Sequence, residues 1–298
     1  MYGLTFGNPW VIAVDGAARR TPGVLAMGLA VLALALGLLA GPSLYALTPA
    51  PRADAGVARL ALDRLVQFAC VLAPLYIVCA AGGLYERRAP RPGGWPLAPA
   101  LIAGLGVGLA AFGATIALAA ALGAVTSGQT PNPPDWRLGL VLAGLLTAFQ
   151  AGGEELFFRG WLQPVLAARW GPLIGLLATA LTFGLSHLAG RPLSPLALIN
   201  DTLAGAWFGL LALRSGRLAP AFTAHFAWNF AEQSLAGATP NPGRDALGSL
   251  FDLDLVGPRL FSGGGDELNG AIETTAILGL AVVVLIVWGP SRRRGGPQ

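Results

Sequence analysis

Read as alternating apolar and polar stretches, the chain falls into eight long hydrophobic segments joined by short polar ones. They run from Gly23 to Leu47, Arg59 to Leu84, Leu97 to Val125, Leu138 to Arg169, Pro172 to Leu188, Leu196 to Leu213, Ala219 to Leu235 and Ala271 to Trp288. A helix needs about 20 apolar residues, at 1.5 Å of rise each, to cross a bilayer core of about 30 Å. The pattern therefore predicts an all-α polytopic membrane bundle of about eight transmembrane helices, a single membrane domain over residues 1–298. The first segment is too long for a signal-peptide core and lacks a convincing cleavage site, so it is expected to span. The segment from Leu138 to Arg169 is long for one span, and Gly152-Gly153 and Pro164 are where it is expected to bend or break. Gly104, Gly108, Ala111 and Ala120 are small residues of the kind that let helices approach closely in lipid.

Composition narrows the class. Charged residues make up 11% of the chain and hydrophobic residues 54%, against about 25% charged in soluble domains. Mean hydropathy is +0.63. The net charge of +4 would suit a nucleic-acid binder, but the arginines fall in short inter-helix loops, where membrane orientation accounts for them, and no nucleic acid is expected. With the N-terminus inside, inner segments hold Arg19, Arg20, Arg87, Arg88, Arg91, Arg169, Arg214, Arg217 and Arg292 to Arg294. Outer loops hold Arg52, Arg191, Arg244 and Arg259. That asymmetry predicts both termini cytoplasmic, in a protein expected in the plasma membrane. Cys70 and Cys79 are nine residues apart, on opposite sides of one helix, and are expected not to bridge.

Against this apolar background, Glu154-Glu155 and Arg159 stand out, because ionisable residues inside a membrane segment mark a functional site by default. Glu155 and Arg159 are four apart, the spacing of a helical ion pair, whereas Glu154 lies about 100° around the helix and lacks that partner. Glu155–Arg159 reads as the structural pair and Glu154 as the freer carboxylate, the candidate base. The two histidines of the chain, His187 and His225, fall in later spans, and His225 shares a helix face with Asn229. Glu154 with His187 would hold and deprotonate a water, while His225 and Asn229 would donate to a developing oxyanion. The same residues, Glu154, His187 and His225, would equally serve as zinc ligands around a metal-bound water. Neither HExxH nor GxSxG occurs.

The constellation resembles the CAAX-protease and bacteriocin-processing family of intramembrane endopeptidases, related to the type II CAAX prenyl endopeptidases. The EExxxR motif reads as Glu154-Glu155-Leu-Phe-Phe-Arg159, FxxxH as Phe183 to His187, and HxxxN as His225 to Asn229. The resemblance covers a core of residues 138–235, with the Gly205 to Ala221 stretch also family-like; the first three helices and the acidic 236–270 loop lie outside it. It implies a helical chamber open to lipid and hydrolysis of a hydrophobic or membrane-anchored protein. Glu154 would be the base, with His187, Glu155 and Arg159 supporting, and His225 and Asn229 would form the oxyanion side. Members are described both as metalloproteases and as metal-free. A leader peptide, a bacteriocin or a membrane-anchored regulator is the substrate expected for a prokaryotic chain.

Other readings remain. A non-proteolytic scaffold or bacteriocin-immunity protein of the same fold would bind a peptide without cutting it. A transporter would use the charged cluster as an ion path and would show pseudo-symmetric halves, which the sequence lacks. Alternatively the cluster only fixes helix packing, and conservative changes would then harm folding first.

Overall fold

The structure, a computed structural model, describes residues 8–52, 54–88, 94–188 and 194–287. Arg91, Arg191, Trp288 and Arg292 to Arg294, used above to orient the chain and end its last helix, lie outside the described residues. A short helix, α1 (Pro9–Asp15), precedes α2 (Gly23–Ala35), which passes through a π-helical turn (Leu36–Ala40) into α3 (Gly41–Tyr45). Two long helices follow, α4 (Val57–Glu86) and α5 (Leu97–Ala121). After a strand β1 (Val125–Ser127) comes α6 (Trp136–Glu155), which continues through a π-helical segment (Leu156–Leu162) into α7 (Gln163–Trp170). Then come α8 (Pro172–Ser186), α9 (Pro195–Ser215) and α10 (Ala219–Phe230), the last extended by a third π-helical stretch, Ala231–Ala236. A strand β2 (Leu253–Leu255), a turn of helix α11 (Arg259–Ser262), a 3-10 segment (Gly264–Gly270) and α12 (Ile272–Val287) complete the described chain.

All eight apolar segments are helical, and the molecule is an integral multi-pass membrane protein with the expected helical bundle. Among the described residues, six helical stretches are long and apolar enough to cross a membrane: Gly23–Tyr45, Val57–Glu86, Leu97–Ala121, Trp136–Trp170, Pro195–Ser215 and Gly264–Val287. The other two are shorter. Helix α8 stops at Ser186, beside His187, and α10 ends as α-helix at Phe230, just past Asn229. The second continues as the π-helical stretch, and His187 and Asn229 border the cavity described below. The two strands pair antiparallel with Val125 opposite Leu255, a small ribbon that the helical pattern does not predict.

The polarity is that of a protein in lipid. Val24, Leu39, Ile77 and Ile102 are at least two-thirds exposed on the outer faces of their helices, while charged side chains such as Arg159 and Glu155 lie inside. The centre is aromatic: Phe157, Phe158, Trp161, Phe183, Trp207, Phe208 and Trp228 are buried together. Gly104 and Gly108 are where α5 meets α10. A Cβ at Gly104 would fall 2.1 Å from Thr223 Oγ1, and one at Gly108 would fall 2.6 Å from the Ala224 carbonyl oxygen. The GxxxG spacing is thus a true contact face, and it seats the helix that carries His225.

The expected break in the long fourth segment lies elsewhere than at its glycines. Gly152 and Gly153 are ordinary residues of α6, and Pro164 follows directly on the π-helical segment, inside a continuous helix, where the Gly160 carbonyl four residues back accepts from Arg88 Nη1 at 3.0 Å. The irregularity is the π-helical segment that begins immediately after Glu155 and carries Arg159. Such bulges recur at functional sites because one wider turn re-aims the side chains that follow it. Cys70 and Cys79 do not bridge each other, as their spacing predicts.

Candidate active site

Helix α6 delivers both carboxylates at its C-terminal end, on adjacent residues and so on different faces. Glu155 faces inward and is fully buried. Arg159 Nη1 donates to Glu155 Oε1 at 2.6 Å, with both side chains completely inaccessible. The helical ion pair read from the spacing is present even though the backbone between its members is π-helical. Burying two charges costs several kcal/mol each unless further hydrogen bonds complete the pair. Arg159 Nη2 supplies one by donating to the Gly205 carbonyl of α9 at 2.9 Å. The guanidinium also lies 4.5 Å from the ring centroid of Phe183 on α8, a cation–π contact in a dry setting. Arg159 therefore pins together α8, α9 and the turn after α6.

Helix α10 brings His225 to the same place. Its Nδ1 lies 2.9 Å from Glu155 Oε1, and because a carboxylate only accepts, Nδ1 carries the proton. Phe208 of α9 stacks on the imidazole, with centroids 4.7 Å apart and planes 14° from parallel. Hydrogen bond and stack together fix the ring, and they turn Nε2 toward the other glutamate. Glu154 Oε2 is 3.9 Å from His225 Nε2, beyond direct hydrogen-bonding distance.

Glu154 is held from its other oxygen. Gln150 Nε2 donates to Glu154 Oε1 at 2.9 Å, and Oε2 is buried with no hydrogen-bond partner among the described residues. Glu155 Oε1 is thus taken up by Arg159 and His225, and Glu154 Oε1 by Gln150 alone; each carboxylate keeps an Oε2 without a hydrogen-bond partner among the described residues, and that of Glu154 is the one 3.9 Å from His225 Nε2. This is the difference between the two carboxylates that their spacing suggests.

His187 stands just beyond the end of α8, in a turn. Its Nδ1 lies 2.9 Å from the Phe183 carbonyl, so Nδ1–H donates there and Nε2 remains for chemistry. No hydrogen bond links it to Glu154; the histidine that meets the glutamate pair is His225. Gln150, His187, His225 and Asn229 nevertheless line one cavity of about 140 Å³. Asn229 and His225 share that wall, as their i, i+4 spacing requires. Glu154 stands one side chain back, held by Gln150 and facing His225. Asp201, Glu232 and Glu267 also line the cavity, and the last of these comes from the acidic segment after α10.

Glu154, His187 and His225, the set considered for zinc, do not converge here. Among the described residues no group of three or more His, Cys, Asp or Glu side chains is arranged to hold a metal ion.

Three contributors escape a motif reading. Gln150 is one helical turn before Glu154, and that spacing was its only signal. Phe208 lies in the Gly205 to Ala221 stretch and had no chemical signature of its own. Gly205 contributes through a backbone oxygen, which no sequence displays.

No curated protein and no solved structure matches this chain. Residues 135–231 match the family model described as type II CAAX prenyl endopeptidase Rce1-like. That stretch contains Glu154, Glu155, Arg159, His187, His225 and Asn229, so the part of the chain that builds the site is similar to the Rce1-like type II CAAX prenyl endopeptidases.

Proposed function

We propose that the protein is an intramembrane endopeptidase that hydrolyses a peptide bond of a hydrophobic or membrane-anchored protein. The observation that carries the reading is the arrangement around His225. One carboxylate, Glu155, is spent on holding the ring, while the other, Glu154, presents an uncommitted oxygen to the ring's opposite nitrogen 3.9 Å away.

A water bound between Glu154 Oε2 and His225 Nε2 loses a proton to Glu154 as its oxygen attacks the substrate carbonyl carbon. The tetrahedral intermediate carries its negative charge on the former carbonyl oxygen, which Asn229 stabilises from the cavity wall by donating its amide N–H. Collapse breaks the C–N bond, and Glu154 returns the proton to the leaving amine. His187 supports from the cavity lining, and Arg159 acts through Glu155. A dry site makes each of these polar contacts stronger than it would be in water. Zinc, if the protein carries it, would be held from Glu154, His187 and His225 only after these side chains move together. The steps above therefore run through the residues alone. The excess of arginines on one set of loops supports both termini on the cytoplasmic side of the plasma membrane.

Purified protein in nanodiscs, with metal content measured, should cleave members of a lipid-tethered peptide library. Stoichiometric zinc that disappears in His187→Ala would move the water activation to a metal. Retained peptide binding with no cleavage of any peptide would replace the protease by the scaffold reading.

A further inference from the structure

The segment between α10 and α12 reads in sequence as a polar, acidic loop, yet in three dimensions its acids turn inward and, while Leu247, Leu255 and Leu268 are buried, a patch of its apolar side chains faces outward. Its acidic side chains, Asp245, Asp252, Asp254, Asp266 and Glu267, are all buried or half-buried. Its large apolar side chains Leu250, Phe251, Val256 and Leu260 are exposed, Phe251 by 58% and Leu260 by 52%.

Protein groups, rather than solvent, satisfy the inward-turned acids. Asp245 pairs with Arg64 of α4 at 2.7 Å. Asp252 accepts from the Thr130 backbone N–H at 2.7 Å, and Asp254 accepts from that of Gly243 at 3.0 Å. Glu267 accepts from Thr239 Oγ1 at 2.8 Å and from the Asn241 backbone N–H at 2.9 Å. A water-facing loop has no reason to hide five carboxylates while displaying leucines and a phenylalanine. A loop facing hydrocarbon must do both, because each polar group left in lipid costs several kcal/mol.

The apolar face is continuous with the lipid-facing belt of the spans. Val256 N–H bonds to Ala124 O at 2.9 Å, at the end of α5, where Leu122 is 49% exposed. Leu247 packs with Ala143 and Leu146 of α6, whose outward Leu138, Val141 and Leu145 are exposed. Arg259, beside Leu260, keeps its guanidinium exposed near Asp266, as a long cationic side chain does at a headgroup boundary.

We propose that residues 236–270 form a cap that inserts its Leu250/Phe251/Val256/Leu260 face into the adjoining lipid leaflet. The opposite face of the cap, with Thr239, Glu267 and Asn269, roofs the cavity that holds His187 and His225. The partner of this surface is the acyl–headgroup boundary of the bilayer. The assignment stands whether or not the site below hydrolyses peptides.

Nitroxide labels test this directly. In a background with Cys70 and Cys79 replaced by Ala, single cysteines are placed at Phe251 and at Leu260. Leu145→Cys on the outer face of α6 serves as the lipid reference, and Asp54→Cys, in the exposed loop before α4, as the aqueous one. Each variant is first checked for an unchanged unfolding temperature and then reconstituted in phosphatidylcholine/phosphatidylglycerol nanodiscs. The expected result is that labels at 251 and 260 collide with oxygen and exclude a water-soluble nickel chelate, several-fold in ratio above Asp54 and near Leu145. Nickel accessibility like that of Asp54 would overturn the proposal. Low accessibility to both reagents would also overturn it, by showing protein, such as a second copy, over this face.

Discussion

His225 donates its Nδ1–H to Glu155 Oε1 across 2.9 Å, a bond between residues 70 apart in the chain. The same oxygen accepts from Arg159 at 2.6 Å, so one buried carboxylate orients both an imidazole and a guanidinium. Through it α6 and α10 are tied together at the site, and the neighbouring Glu154 is spared that duty.

Arg159→Met should be the most destabilising single change at the site. It leaves Glu155 buried and uncompensated, which costs about 3–5 kcal/mol, and it removes the bond to Gly205 O and the contact with Phe183. Thermal unfolding in detergent should show a loss of several degrees or failure to accumulate. Arg159→Lys should fall between, because the ammonium keeps the charge but cannot span Glu155 and Gly205 with a planar fork.

Gln150→Ala removes the side chain that fixes Glu154 Oε1. A hydrogen bond to a charged group is worth about 1.5–3 kcal/mol, so kcat should fall by about tenfold or more with KM little changed. Steady-state kinetics on any cleaved peptide reads the split. A rise in KM alone would show Gln150 acting on substrate binding instead.

Two glycines two residues apart on α5 give a matched pair. Gly108→Ala places a methyl 2.6 Å from the Ala224 carbonyl and must push α10, with His225, away from α5; Gly106→Ala meets nothing within 4 Å. Overpacking of this kind costs about 1–3 kcal/mol. Gly108→Ala should lose both stability and activity, while Gly106→Ala should keep both.

Much of this was legible in the sequence, because a bilayer imposes length and polarity so strictly. Every apolar segment became a helix, and the Glu155–Arg159 and His225/Asn229 pairs followed from their i, i+4 spacing, the first of them despite the π-helical backbone between its members. Contacts between helices were not legible. Nothing in one dimension says that His225, rather than His187, meets the glutamate pair, since that depends on α10 closing against α5 through Gly104 and Gly108. The π-helical turn after Glu155 lies between the residues that drew attention, with Gly152-Gly153 in regular helix before it and Pro164 directly after it. The 236–270 segment misled by composition, because its acids count as polar loop residues until they are seen to turn toward protein partners, among them Arg64 and the Thr130 backbone N–H.

The division of labour between the two glutamates is the central claim, and paired substitutions test it most directly. Glu154→Gln and Glu155→Gln are each reconstituted beside wild type, with unfolding temperature and peptide hydrolysis measured on the same preparations. Glu154→Gln should unfold within about 1 kcal/mol of wild type and lose about 10²-fold or more in rate, as expected for a missing general base. Glu155→Gln should lose stability as well, because Arg159 is then a buried charge without its counter-ion. Hydrolysis that survives in a normally folded Glu154→Gln would contradict the account, whatever Glu155→Gln does.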